Sequence, residues 1–97
     1  MTLEDLRMAP PEARQPLLTR FIEDQVLDIL RWDASRRGEL ARGLTEIGLD
    51  SLNAVELQFR LQSTFGFAAQ PEDFDQPSIE KLAARLLEMR IQLTPAV

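Results

Sequence analysis
Cysteine is absent from these 97 residues, and so are histidine and tyrosine. Without cysteine there can be no disulfide, no thiolate metal site and no thiol nucleophile. Without histidine the chain lacks the commonest general base and the commonest zinc ligand. A catalyst built from it would have to work with carboxylates, hydroxyls, arginines and the single lysine, Lys81. No apolar run reaches membrane-spanning length, and the acidic start, Met1-Thr-Leu-Glu-Asp, has no apolar targeting segment, so the expected location is the cytoplasm. Hydrophobic residues make up 44% and charged residues 28%, as in one small soluble domain. The net charge is −5, and it is unevenly spread. Residues 46–80 hold seven acids against Arg60 alone, whereas the first 45 residues carry seven arginines against eight acids. A central acidic stretch repels nucleic acid and anionic membrane and favours basic protein partners; solubility is the plainer explanation.

The patterning is helical throughout, and no alternating strand segment of useful length occurs. Residues 1–13 read as a leader, with Pro10-Pro11 near its end. Leu18, Ile22, Val26, Ile29 and Leu30 share one helical face, and Pro16 fits only a first turn, which predicts a helix over 16–31 with a preceding turn at 11–15. Residues 32–49 contain Gly38, Gly43 and Gly48 and predict a long loop pinned by Leu40, Leu44, Ile47 and Leu49. Trp32 fits a core plug better than a rim residue. A second helix should run from Ser51 to Phe65, with Asp50 in the N-cap position and Gly66 as its stop. Pro71–Phe74 can form a short turn of helix. A last helix should start near Ser78, end near Arg90, and bury Ile79, Leu82, Ala83, Leu86 and Leu87. Residues 91–97 read as a tail.

The second helix has one apolar face too many. Ala54, Leu57, Leu61 and Phe65 fall within about 80° of one another and form a core stripe. Leu52, Val55 and Phe59 cluster within about 60° on the opposite side, with Glu56 and Arg60 beside them. Either the 32–49 loop covers this second stripe or it is an exposed docking face. Asn53 and Gln58 point outward. Ser51 stands at the helix start, beside free backbone N–H groups and the positive end of the dipole, where a phosphate or phosphodiester is favoured. Helix-start serines are common, and on the residues alone a simple capping role outweighs that of an anchor.

The run Glu46-Ile47-Gly48-Leu49-Asp50-Ser51-Leu52-Asn53-Ala54-Val55-Glu56-Leu57 resembles the attachment signature of acyl carrier proteins. Downstream, Phe74-Asp75-Gln76-Pro77-Ser78-Ile79 is similar to the start of the last helix in polyketide-synthase carriers. The resemblance covers residues 14–90 and implies an all-α fold, a small four-helix bundle of three main helices and one short one, with a long loop between the first two. It implies a non-catalytic carrier whose Ser51 receives 4′-phosphopantetheine from coenzyme A through a phosphopantetheinyl transferase. Asp50 belongs to the same motif. It further implies a monomer that binds no metal and passes acyl groups among an acyltransferase, a ketosynthase or acyl ligase and other pathway enzymes. Asp50 and Glu56 would meet basic residues of those partners, and Leu52, Val55 and Phe59 would form the apolar contact. Gly48-Leu49-Asp50 departs from the form usual in peptidyl carriers, which makes amino-acid loading the alternative, beside an unmodified helical docking module. The arginine-rich first half and Arg60 depart from the very acidic fatty-acid carriers and suit a polyketide-type system.

Overall fold
The computed structural model describes residues 1–44, 46–91 and 93, and among these it contains helices and no strands. Four α-helices follow in order: α1 (Leu3–Met8), α2 (Pro11–Leu30), α3 (Ser51–Phe65) and α4 (Ile79–Met89). Two 3-10 segments, Ala34–Arg42 and Pro71–Phe74, lie in the connections on either side of α3. α2 is the spine, packing against both α3 and α4. Leu18, Ile22 and Val26 supply its buried row at i, i+4 and i+8. Leu57, Leu61 and Phe65 of α3 and Leu82, Ala83 and Leu86 of α4 close the same core. Phe21 meets Phe65 edge to face at 5.4 Å between ring centroids. No helix among the described residues is long and apolar enough to cross a membrane.

The expected leader contains a helix. Thr2 caps α1 in a reciprocal box with Asp5: the Thr2 hydroxyl accepts from the Asp5 N–H at 3.2 Å, and the Asp5 carboxylate accepts from the Thr2 N–H at 2.8 Å. Leu6 is fully buried in the main core. Arg14 donates to the backbone carbonyls of Leu6 and Arg7, partnering the open end of the helix. A six-residue helix has little stability of its own, so this tertiary anchoring is what holds it.

α2 begins at Pro11 and not at residue 16. Pro11 takes the first helical position, where a missing N–H costs nothing. Pro16 lies inside and forfeits one backbone bond, which the packing of the helix on α1 and α4 offsets. The helix stops at Arg31, which adopts the left-handed conformation (φ 58°), with the Trp32 N–H donating back to the Leu27 carbonyl at 2.9 Å. That turn carries Trp32 out to the edge. Its indole is half-buried against the core and covered by the Arg36 guanidinium, 3.7 Å from the ring centroid, so it is a rim residue and not a plug.

Half of the expected 32–49 loop is a 3-10 segment capped by Asp33. Leu40, Leu44 and Ile47 are buried as pins, and Leu49 is partly buried. Gly43 lies at φ 105°, and a Cβ there would come within 2.9 Å of the Pro77 carbonyl oxygen. Only glycine lets this segment lie so close to the chain leading into α4. Of the expected tail, Ile91 is buried and Leu93 packs on the core; Thr94–Val97 and Gln92 lie outside the described residues.

Candidate functional site
α3 starts at Ser51, and its cap is Asp50. The Asp50 carboxylate accepts from the Asn53 N–H at 2.8 Å, while its carbonyl accepts from the Ala54 N–H. The capping duty that Ser51 was the alternative candidate for therefore belongs to its neighbour. Ser51 itself is exposed at the first helical position, its hydroxyl beside the unpaired end of the helix. The two residues should separate cleanly in a urea titration. Asp50→Ala is expected to lose about 1 kcal/mol. Ser51→Ala should stay within about 0.5 kcal/mol of wild type, because it removes no cap and favours helix slightly.

An open groove of about 390 Å³ runs from Ser51 between α3 and the Pro71–Phe74 turn. Leu49, Ala54, Val55, Pro71 and Phe74 give it apolar walls, and Asp50, Asp75 and Gln58 give it polar positions. Ala54, expected in the core stripe, is only half-buried and lines this groove. Gln58, expected to point outward, is partly buried. Its amide donates to the Ala69 carbonyl and to Gln62 Oε1, each at 3.2 Å, and Gln62 Oε1 accepts from the Ala69 N–H. The pair staples the chain leaving α3 back onto the helix and so fixes one side of the groove.

The second apolar stripe is uncovered. Leu52, Val55 and Phe59 are 78%, 61% and 67% exposed, and the 32–49 segment does not shield them. Three large apolar side chains in a row on one helix face carry an unfavourable hydration that burial against another surface would relieve. The acids next to them fall into two sets. Among the described residues Asp50 and Asp75, which line the groove with Ser51, have no ion-pair partner. Glu56 does: Arg60 Nη2 lies 2.9 Å from its Oε1, and Arg60 Nη1 lies 2.7 Å from Asp28 Oδ2 on α2. The i, i+4 spacing of Glu56 and Arg60 signalled the first contact, whereas the second needs the packing of two helices.

Behind the groove sits an ion cluster the sequence did not announce. Asp73, fully buried in the Pro71–Phe74 turn, accepts from Arg85 Nε at 2.7 Å, from Arg90 Nε at 2.8 Å and from the Gln70 N–H at 2.8 Å. Burial pushes its carboxyl up, but the bonds from Arg90, Gln70 and Arg85 outweigh this and hold it well below the usual carboxylate range. Asp73 thereby fastens the turn that presents Phe74 to the groove. Among the described residues no group of acids is arranged to hold a metal ion.

A family model described as a phosphopantetheine attachment site matches residues 20–86. Erythronolide synthase EryA2 of Saccharopolyspora erythraea is 31% identical over 77 residues, 78% of this chain and 2% of that protein. Polyketide synthase GfsA of Streptomyces halstedii is 39% identical over 75 residues, 76% of this chain and 1% of that protein. The spectinabilin polyketide synthase system protein NorC of Streptomyces orinoci is 30% identical over 79 residues, 80% of this chain and 4% of that protein. The chain thus spans a few per cent of the length of these relatives. No solved structure matches it.

Proposed function
This chain belongs to the phosphopantetheine attachment-site family, and from that premise we propose that it is the acyl carrier of a polyketide-type assembly line, with Ser51 as the attachment point. The observation that carries the reading is the division of labour at the start of α3: Asp50 caps the helix, and the exposed Ser51 hydroxyl has no hydrogen-bond partner among the described residues and stands beside an apolar groove. Relatives that are polyketide synthases by name favour acyl over aminoacyl cargo.

The residues present suit the group. A phosphodiester on Ser51 Oγ would project from an exposed helix start, facing the positive end of the dipole. An extended arm would have the Leu49–Phe74 groove beside it, with room and apolar walls. Loading joins Ser51 Oγ to the phosphorus of the coenzyme A pyrophosphate that bears pantetheine. The pyrophosphate P–O bond breaks, adenosine 3′,5′-bisphosphate leaves, and the serine proton passes to a base on the transferase. When bound, the group supplies the thiol that this cysteine-free chain lacks and on which an acyl unit is held as a thioester. The chain's own part is non-catalytic. It fixes the anchor at a rigid helix end, and it offers Leu52, Val55 and Phe59 for apolar contact and the unpaired acids near Ser51 for encounter with basic partner surfaces. Tethering raises the local concentration of cargo at each partner in turn. The need for coenzyme A places this work in the cytoplasm. We read the carrier unit, expected over 14–90, as including α1, a reading supported by Leu6 packing in the same core.

The test is intact mass. Incubation with coenzyme A and a phosphopantetheinyl transferase should add one phosphopantetheinyl group to the wild-type chain and none to Ser51→Ala. An unchanged mass for folded wild type across a broad set of transferases, or addition that persists in Ser51→Ala, overturns the assignment.

A further inference from the structure
The exposed stripe of α3 is a ridge between two grooves. One is the Ser51 groove. The other, of about 460 Å³, lies between α3 and the end of α2, and is lined by Asp28, Arg31, Trp32, Glu56 and Arg60. Arg60 ties its two walls together, bonding Asp28 and Gln25 on α2 and Glu56 on α3. Its own side chain is 28% exposed, whereas Asp28 and Glu56 are 71% and 52% exposed, so both carboxylates sit at the surface sharing one guanidinium, and Arg31 in the same groove brings the set to zero net charge. At the Ser51 end Asp50 and Asp75 have no such partner among the described residues. Charge along the docking ridge is therefore graded, from net negative beside Ser51 to balanced beside Phe59.

We propose that Arg60 is a selectivity residue of the docking face, masking Glu56 and Asp28 so that only the Ser51 end steers partners. This rests on the carrier reading and on α3 as the docking element. It defines the partner by chemistry: an enzyme with basic side chains around the opening that admits the arm and an uncharged apolar pocket for Phe59. A partner with basic residues along the whole of α3 meets the Arg60 guanidinium at the far end and is disfavoured there.

The masking makes an expectation that a purely structural bridge does not. Removing a structural bridge slows or leaves unchanged whatever the protein does. Removing a mask uncovers two carboxylates and speeds encounter with a basic partner. A transferase that modifies the wild-type chain is the probe, with kcat/KM for loading measured over a salt series. Arg60→Met should raise kcat/KM roughly three- to tenfold at low salt, steepen its salt dependence, and converge on wild type at high salt. Arg37→Met is the control: it removes one positive charge of similar exposure from a cluster with Glu23 and Asp24 that lines neither groove, and should leave loading near wild type. The resemblance puts Glu56 among the residues that meet basic partners, but here Arg60 already pairs it, so Glu56→Gln should change loading by less than about twofold in the wild-type background and should cancel much of the gain in the Arg60→Met background. If Arg60→Met behaves as Arg37→Met does, or loads more slowly with an unchanged salt slope, the masking role is overturned. If Arg60→Met does not fold, Glu56→Gln decides: loading within about twofold of wild type supports masking and a severalfold fall overturns it. Val55→Asp separates the two levels. If it too leaves loading untouched, the docking assignment of α3 has failed; if it slows loading while Arg60→Met changes nothing, only the role of Arg60 has.

Discussion

Asp73→Asn is expected to remove about 3 kcal/mol of stability at neutral pH, which for a domain of this size lowers Tm by more than 10 °C. The carboxylate is fully buried and is met by two guanidinium groups and a backbone N–H. Asparagine keeps the shape but loses the charge, and its NH2 group faces donors where an acceptor stood. Arg85 and Arg90 are 32% and 26% exposed, so they can recover some hydration, which holds the loss to the low end for a broken buried pair. The pH dependence identifies the cause. The carboxyl ionises far more readily folded than unfolded, so its contribution is complete above about pH 4 and is lost as pH falls toward its folded value. Urea unfolding of wild type and Asp73→Asn should therefore show a constant gap from pH 7 to about pH 5. That gap should narrow by roughly 1 kcal/mol between pH 4 and pH 3. A gap that stays level to pH 3, or that never exceeds about 1 kcal/mol, means the cluster is not what fastens this turn.

That cluster also marks where sequence reasoning stops. α3 and its limits were legible because Asp50, the apolar period and Gly66 all act within one or two turns, and the structure shows the same cap, span and left-handed stop. The second apolar stripe was legible for the same reason, but its exposure was not, since covering by the 32–49 segment depends on how that segment packs. The partners of Asp73 were not legible, since Arg85 and Arg90 lie 12 and 17 residues away and nothing local distinguishes them from other surface arginines. α1 was missed because its strongest signals are weak ones: a Thr2–Asp5 box on six residues, and a single Leu6 whose burial depends on α2 arriving beside it. Trp32 was misplaced by one torsion. A right-handed Arg31 would have continued the helix and driven the indole inward, but the left-handed cap turns it to the rim. Pro16 misled because tertiary packing outweighs its low helix propensity and lets the helix start at Pro11. The elements nearest Ser51 were the readable ones, and the contacts that hold them to the rest of the bundle were not.

The docking ridge is the place where a small change should matter most to function and least to folding. Val55→Asp puts a carboxylate in the middle of the exposed stripe, at a position where the side chain touches no core residue row and is 61% exposed. Its effect on unfolding free energy should stay within about 0.5 kcal/mol. Loading of Ser51 by a transferase should nevertheless fall at least tenfold, and Phe59→Asp should act in the same direction, because an apolar contact at the centre of a weak interface is replaced by a charge that must be desolvated. The sign is what makes the measurement decisive. Either variant adds negative charge to a face whose free charge is already negative. If steering by basic partners were the whole of recognition, both would speed loading, and more so at low salt. A fall in kcat/KM that persists at high salt comes from the lost apolar contact and the desolvation of the new carboxylate, not from steering. A rise, or no change in folded protein, would mean that Leu52, Val55 and Phe59 are exposed for some other reason and that the partner grips the carrier elsewhere.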